Sequence, residues 1–206
     1  PDEPLVFVEV ALCKGVPNSI QDVLADRDEA LLVDEPDCAA FYSISNCQKG
    51  LQGISFGNSL IKQVVTDLAA EIPHLKHFVT LSPLPGFAKW LSQQAQDTDE
   101  ANDEAQDEMR QIDQDAQAAL TAGNTAALGD HDGALLHYAA HYLTSAKRGD
   151  GQPIDPVARF HLRNGASIHA LHAQADLSEN GLNNAYGVMV NYRYDLPQVA
   201  ARHEHY

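Results

Sequence analysis

The chain has 206 residues, 44% of them apolar, and a formal net charge of -16. That is enough for a substantial core, and the acidic balance excludes general nucleic-acid binding, because a phosphate backbone needs a basic footprint. No apolar run reaches the roughly 18 residues of a membrane-spanning helix, and no basic-then-apolar start announces a secretory leader.

Residues 5–12 (LVFVEVAL) form a β-rich, nearly continuous apolar run, as expected of a central strand. "NSIQDVLAD" then predicts a helix with Asn18 or Ser19 as its cap. "DEALLVDEPD" is acidic, contains Pro36 and reads as connection. Residues 38–45 (CAAFYSIS) predict a second strand. A glycine-rich segment follows, and then a helix whose Leu60, Ile61, Val64, Val65 and Leu68 share one apolar face and whose end is marked by Pro73. Residues 76–82 (KHFVTLS) predict a third strand, halted by "PLPG". Strand, helix and strand within about 45 residues suit a βαβ-like unit.

"FAKWLSQQ" starts another helix. Residues 97–115 carry nine carboxylates and one arginine, read as a solvated helix or acidic insert. They lack calcium-loop spacing. Residues 132–146 are helical by pattern, with His137 and His141 on one face. The Glu of an H-E-x-x-H zinc motif is absent there. "PVARFHLRNGA" places Pro156 at a first helical position and "NG" at a helix end. "SIHALHAQAD" predicts a strand, "ENGLNNAYG" a loop, and "VMVNYRYDL" a last strand. His169, His172, His203 and His205 show no closed ligand pattern. The three cysteines, Cys13, Cys38 and Cys47, fit a reducing compartment without a disulfide framework. A catalytic cysteine stays open, although small buried thiols are the commoner case. The start without methionine and the abrupt end suggest a piece of a longer protein, with a sheet beginning upstream.

The segment between the second strand and its helix carries chemistry. Gln48, Gly50 and Gly53 stand in the order Q-x-G-x-x-G, one glycine position away from Q-x-x-G-x-G. Successive backbone amides at a helix start point outward with partial positive charge and can hold a pyrophosphate without a basic patch. A purely steric glycine turn is the plainer alternative. The pattern is not the dinucleotide G-x-G-x-x-G, and no Gly-Lys-Ser/Thr follows it.

A glutamine-led glycine turn after a strand resembles the coenzyme A loop of the GNAT acetyltransferases, Q-x-x-G-x-G, although its first glycine, Gly50, stands one position early here. The longer strings "FYSIS", "QKGLQG", "PHL", "LSPLPGF", "PVARFHLRNGA" and "NYRY", in that order, resemble the catalytic domain of the malonyl-CoA decarboxylase family over residues 4–196. The acidic stretch, about 96–130, is where the likeness weakens. The resemblance implies an α/β fold with a GNAT-like mixed central sheet and flanking helices. It implies a single, partial catalytic domain over residues 1–206 with an acidic helical insert at about 96–130, lacking the family's N-terminal helical domain. It also implies a malonyl-CoA substrate and a homotetramer. No cofactor or metal is expected, because the thioester itself is the electron sink; the charge and the lack of a spanning run argue against nucleic-acid and membrane partners; and a cytoplasmic setting is the default.

Residue by residue, the family's catalytic serine falls on Ser82 and its histidine on His161. Coenzyme A would lie along Gln48, Gly50, Leu51, Gln52, Gly53, Ile54, Ser55, Phe56, Gly57 and Asn58. Some family members carry Glu at the position of Ser55, so no carboxylate base is placed there. Tyr194 and Asn191 would position the substrate carboxylate or support the pair.

Loss of CO2 from a malonyl thioester leaves an enolate, and preformed donors at the thioester oxygen lower its barrier. Turning the carboxylate out of the thioester plane and sheltering it from water does the same. Ser82 can bond that carboxylate or His161, and His161, as an imidazole able to carry a proton near neutrality, would protonate the α-carbon. The sequence leaves open whether Ser82 accepts a proton or only orients substrate. Without the resemblance, Ser82 is a turn residue, His161 a packed or solvated histidine, and Trp90, Tyr192 and Tyr194 core aromatics. An acyltransferase moving an acyl group from coenzyme A to an amine, or a non-catalytic coenzyme A binding module, would share the glycine loop.

Overall fold

The β-rich run that opens the chain pairs with the second strand, and the pairing sets the geometry of the first of two compact units. A computed structural model describes residues 6–25, 35–46, 56–96, 103–195 and 198. The first unit comprises the described parts of Pro1–Ser82, His161–His169 and Asn191–Tyr206; the second comprises those of Pro83–Phe160 and Ala170–Val190.

In the first unit, β1 (Val6–Cys13) runs antiparallel to β2 (Cys38–Asn46). Cys13 faces Cys38, and the register slips between Glu9 and Val10, where Tyr42 is the extra residue. β2 is parallel to β3 (His77–Thr80), with helix α2 (Phe56–Glu71) between them in sequence, so the expected βαβ-like unit is present. β3 is antiparallel to β6 (Met189–Arg193), with Val79 opposite Arg193. The strand order is β1-β2-β3-β6-β4, where β4 is Ser82–Pro83, and β5 (Ser167–His172) also pairs with β6. This is a mixed sheet. Ile61 and Val65 of α2 are buried, as their apolar spacing predicts. The short helix α1 (Ile20–Leu24) is capped by Ser19, whose Oγ accepts from the Asp22 amide at 3.4 Å.

Two expectations in this unit are corrected. The apolar run of β1 predicts a central strand, yet β1 stands at the end of the described strand order, with Phe7 and Leu12 exposed. The single strand expected over residues 76–82 is two: β3 stops at Thr80 and β4 starts at Ser82. The Leu81 amide bonds the Phe41 carbonyl of β2 at 2.9 Å, and Pro83 has no amide to continue a ladder. Cys13 and Cys38 pack with Ala40 and Val79, and burial pushes the Cys38 thiol up to about 12. A thiol held protonated is a poor nucleophile, so the core reading of Cys38 stands, with Cys13 packed beside it; Cys47 lies outside the described residues.

The second unit contains α3 (Phe87–Gln96), α4 (Asp103–Thr121), a 3-10 turn (Thr125–His131), α5 (Asp132–Thr144), most of α6 (Pro156–Arg163) and α7 (Glu179–Ala185). Phe87, Trp90 and Tyr142 form an aromatic cluster, and His141 lies against Trp90. Asp155 is buried at the head of α6. It accepts from the Ala158 amide at 2.7 Å and from the Tyr142 hydroxyl at 3.1 Å, which caps the helix; burial raises its carboxyl.

The acidic segment is helical where described, but one of its carboxylates is not solvated. Asp113 is buried and accepts from Ser92 at 2.6 Å, Tyr186 at 2.5 Å and Gln117 at 2.8 Å. The stretch "ENGLNNAYG", expected as a loop, is mostly helix α7. Asparagine and glycine are poor in helix interiors. Here Ser178 caps the helix by accepting from the Gly181 amide at 3.1 Å, and Tyr186 closes it in the left-handed region at φ 50°.

Candidate functional site

At Thr80 the two strands β3 and β6 part, and side chains take over the ladder. The Tyr194 amide donates to the Phe78 carbonyl at 2.9 Å, as an antiparallel register of Val79 on Arg193 requires. One pair further along, the Tyr192 amide would donate to the Thr80 carbonyl in a regular ladder. It donates instead to Thr80 Oγ1 at 3.1 Å, and Asn191 Nδ2 donates to the vacated carbonyl at 2.7 Å. Asn191 Nδ2 also reaches the Pro17 carbonyl at 3.3 Å. Asn191 is therefore a buried clamp on the backbone beside the site.

Ser82 Oγ donates to Thr80 Oγ1 at 2.8 Å and lies 3.3 Å from His161 Nε2. The other ring nitrogen, Nδ1, is 2.9 Å from the Tyr194 hydroxyl. Tyr192 stacks on the imidazole, with centroids 4.6 Å apart and planes 23° from parallel. These groups all belong to the first unit. Ser82, His161 and Tyr194, far apart in sequence, are thus brought into one hydrogen-bonded line.

The line is nearly dry: Ser82 keeps 5% of its surface, His161 3% and Thr80 none. Burial alone lowers His161 from its ordinary 6.5 to about 3, and burial raises the Tyr194 phenol. The sequence expectation that His161 carries a proton near neutrality is therefore corrected for the resting site. The imidazole is neutral, because a charged ring in this apolar setting lacks the solvation it would need. It still has one N–H to give.

Helix α6 carries His161 in its last turn, and Gly165 at φ 78° turns the chain out of it toward β5. Gln48, Gly50, Leu51, Gln52, Gly53, Ile54 and Ser55 lie outside the described residues. Phe56, Gly57 and Asn58 are the first residues of α2, so the glycine segment does open into a helix. Thr80 and Tyr192 are the partners that the sequence reading missed. Strand alternation held the signal: residues 80 and 82, like residues 192 and 194, fall on one face. Among the described residues no group of three or more His, Cys, Asp or Glu is placed to hold a metal ion, and no helix is long and apolar enough to cross a membrane.

Comparison with known proteins gives a consistent family. The profile of the malonyl-CoA decarboxylase C-terminal domain matches residues 1–206. The chain is 37% identical over 219 residues to the mitochondrial malonyl-CoA decarboxylase of Mus musculus, covering 96% of this chain and 44% of that protein. It is 44% identical to the malonyl-CoA decarboxylase of Rhodopseudomonas palustris, whose crystal structure it matches with a TM-score of 0.79, over 98% of this chain and 46% of that one. The loading GNATL domain of CurA from Lyngbya majuscula matches at 13% identity with a TM-score of 0.52, over 92% of this chain and 70% of that one, a likeness of fold alone. The chain spans less than half the length of these two decarboxylases.

Proposed function

The chain belongs to the malonyl-CoA decarboxylase family, through that family's C-terminal domain, and we propose that it carries the reacting centre that converts malonyl-CoA to acetyl-CoA and CO2. The observation behind this reading is the buried contact of Ser82 Oγ with His161 Nε2 at 3.3 Å. The serine and histidine that the family resemblance marks out are adjacent in space, although 79 positions apart in sequence.

The chemistry follows from the dry pair. The bond from the α-carbon to the carboxylate breaks, CO2 leaves, and the electron pair enters the thioester as an enolate. The thioester is the electron sink, so no further group is called for. An enclosed site favours this step, because a carboxylate stripped of water becomes neutral CO2. A thioester enolate is a far stronger base than a neutral imidazole needs in order to lose its N–H. His161 therefore gives its proton to the α-carbon, while Tyr194 hydrogen-bonded at Nδ1 offsets the charge left on the ring. One solvent proton restores the site. Ser82 orients the acyl group and the ring and is not a nucleophile here. Coenzyme A lies with its pyrophosphate on the amides of residues 48–58, at the start of α2.

The active protein is a homo-oligomer of longer chains, and the few cysteines, two of them buried as thiols, favour a reducing compartment such as the cytoplasm. The full-length protein incubated with malonyl-CoA alone tests the function. Acetyl-CoA and CO2 appearing in equal amounts, with no acceptor added, support decarboxylation. Turnover that needs an amine supports the acyltransferase, and tight binding of coenzyme A with unreacted malonyl-CoA supports a non-catalytic module; either overturns the reading.

A further inference from the structure

Thr80 Oγ1 sits between two donors. The Tyr192 amide, 3.1 Å away, is fixed by the backbone of β6 and can only donate. Ser82 Oγ, 2.8 Å away, donates as well. A serine whose own proton is spent on Thr80 can meet His161 Nε2 only as an acceptor, so an N–H stands at Nε2. Nδ1 then holds the ring's lone pair, and the Tyr194 hydroxyl at 2.9 Å donates to it. Proton direction along the line from Tyr194 through His161 and Ser82 to Thr80 is thus set at its far end, by a threonine that no substrate need touch.

The opposite wiring has a different use. If Ser82 donated to Nε2, the ring would act as a base toward the hydroxyl, the arrangement of an activated nucleophile. Decarboxylation needs an acid near the α-carbon instead. We propose that Thr80 is a positioning residue for the reaction: by accepting the Ser82 proton it fixes His161 in the tautomer with its hydrogen on Nε2, the ring edge that faces Ser82. The reaction in this statement rests on the decarboxylase reading; the tautomer does not. Thr80, Ser82, His161 and Tyr194 are all buried, so the wiring persists in the substrate-free protein, where it can be observed.

The test compares Thr80→Val, which keeps the shape and removes the acceptor, with Thr80→Ser, which restores an oxygen. In the substrate-free full-length protein, 15N NMR of the His161 ring reads the tautomer. The wild type and Thr80→Ser should show the proton on Nε2. Thr80→Val should shift it toward Nδ1, because Ser82 is released to donate to Nε2. With malonyl-CoA, Thr80→Val should lower kcat by roughly 10- to 100-fold at a KM within about twofold of wild type, and Thr80→Ser should recover most of it. A wild-type ring with its hydrogen on Nδ1, or a Thr80→Val protein with the wild-type tautomer and kcat, overturns the proposal. If Thr80→Val does not fold, the wild-type tautomer alone decides. A wild-type protein inert toward malonyl-CoA overturns the decarboxylase reading, and its ring spectrum still decides the role of Thr80.

Discussion

His161 Nδ1 lies 2.9 Å from the Tyr194 hydroxyl, and both groups are almost wholly buried. The imidazole's second nitrogen is therefore reserved for a phenol that burial keeps protonated. A phenol can support the ring without adding a charge, where a carboxylate would stabilise an imidazolium.

Replacing Tyr194 by Phe keeps the buried ring and removes only the donor. The expected result in the full-length protein is a kcat for malonyl-CoA reduced by about 10- to 100-fold, with KM nearly unchanged, because the interaction matters most as His161 loses its proton. Steady-state kinetics check it. An unchanged kcat, or a loss confined to KM, would remove Tyr194 from the proton path.

Burial of His161 also makes stability depend on pH. Its folded value, about 3, lies below its ordinary 6.5, so as pH falls the unfolded chain takes up the proton first. The contribution is complete above pH 6.5 and is lost progressively between 6.5 and 3, at up to about 1.4 kcal/mol per pH unit. His161→Gln has no such proton to bind. The stability difference between wild type and His161→Gln, measured by denaturant unfolding, should therefore shift against the wild type on going from pH 7 to pH 5. A pH-independent difference would contradict the buried neutral imidazole.

In the second unit, Asp113 gathers donors from Ser92, Gln117 and Tyr186. Asp113→Ala leaves these groups without their acceptor in a largely buried place and should cost about 3 kcal/mol. Neighbouring Asp115, 42% exposed at its side chain, is the control: Asp115→Ala should change stability by less than about 0.5 kcal/mol. Equal effects would show that the acidic helix is solvated throughout.

Gly181 of α7 has no room for a side chain. A Cβ there would meet the Asp176 carboxylate, and would stand 2.6 Å from the Asp176 backbone oxygen. Gly181→Ala, favourable by helix propensity, should instead destabilise by about 1–3 kcal/mol. Thermal unfolding decides the sign.

The elements governed by simple periodicity were readable. Ile61 and Val65 recur at helical spacing and are buried, and β2, α2 and β3 follow in the predicted order with β2 parallel to β3. Pro156 opens α6 as its fixed φ suggests. What failed was tertiary. Helix α7 forms from asparagines and one glycine because Ser178 caps it and Asp176 packs on Gly181. The break at Leu81 reflects a change of neighbours, since β3 lies between β2 and β6 whereas β4 stands beyond β6 in the strand order, and no local pattern records that. Asp113 looks like its solvated neighbours until Ser92 and Tyr186 are placed beside it.

The site divides the same way. Ser82 and His161 came from the family strings, since spacing along the chain says nothing about distance in space. Thr80 gives no signal of its own, because threonine is an ordinary strand residue; its place arises only where β3 and β6 part and the Tyr192 amide needs another acceptor. Asn191, expected to position the substrate carboxylate or support the pair, bonds the Thr80 and Pro17 carbonyls. The Ser82 and His161 pairing is a geometric fact here, whereas the coenzyme A loop over residues 48–55 rests on the sequence pattern.

A crystal structure of the full-length protein with a malonyl-CoA analogue that cannot lose CO2 tests the account most directly. The pyrophosphate is expected on the main-chain amides of residues 48–58 and the α-carbon about 3–3.5 Å from His161 Nε2, with the carboxylate shielded from water. An acyl group beyond the reach of both His161 and Ser82, or a pyrophosphate bound away from the start of α2, would contradict it.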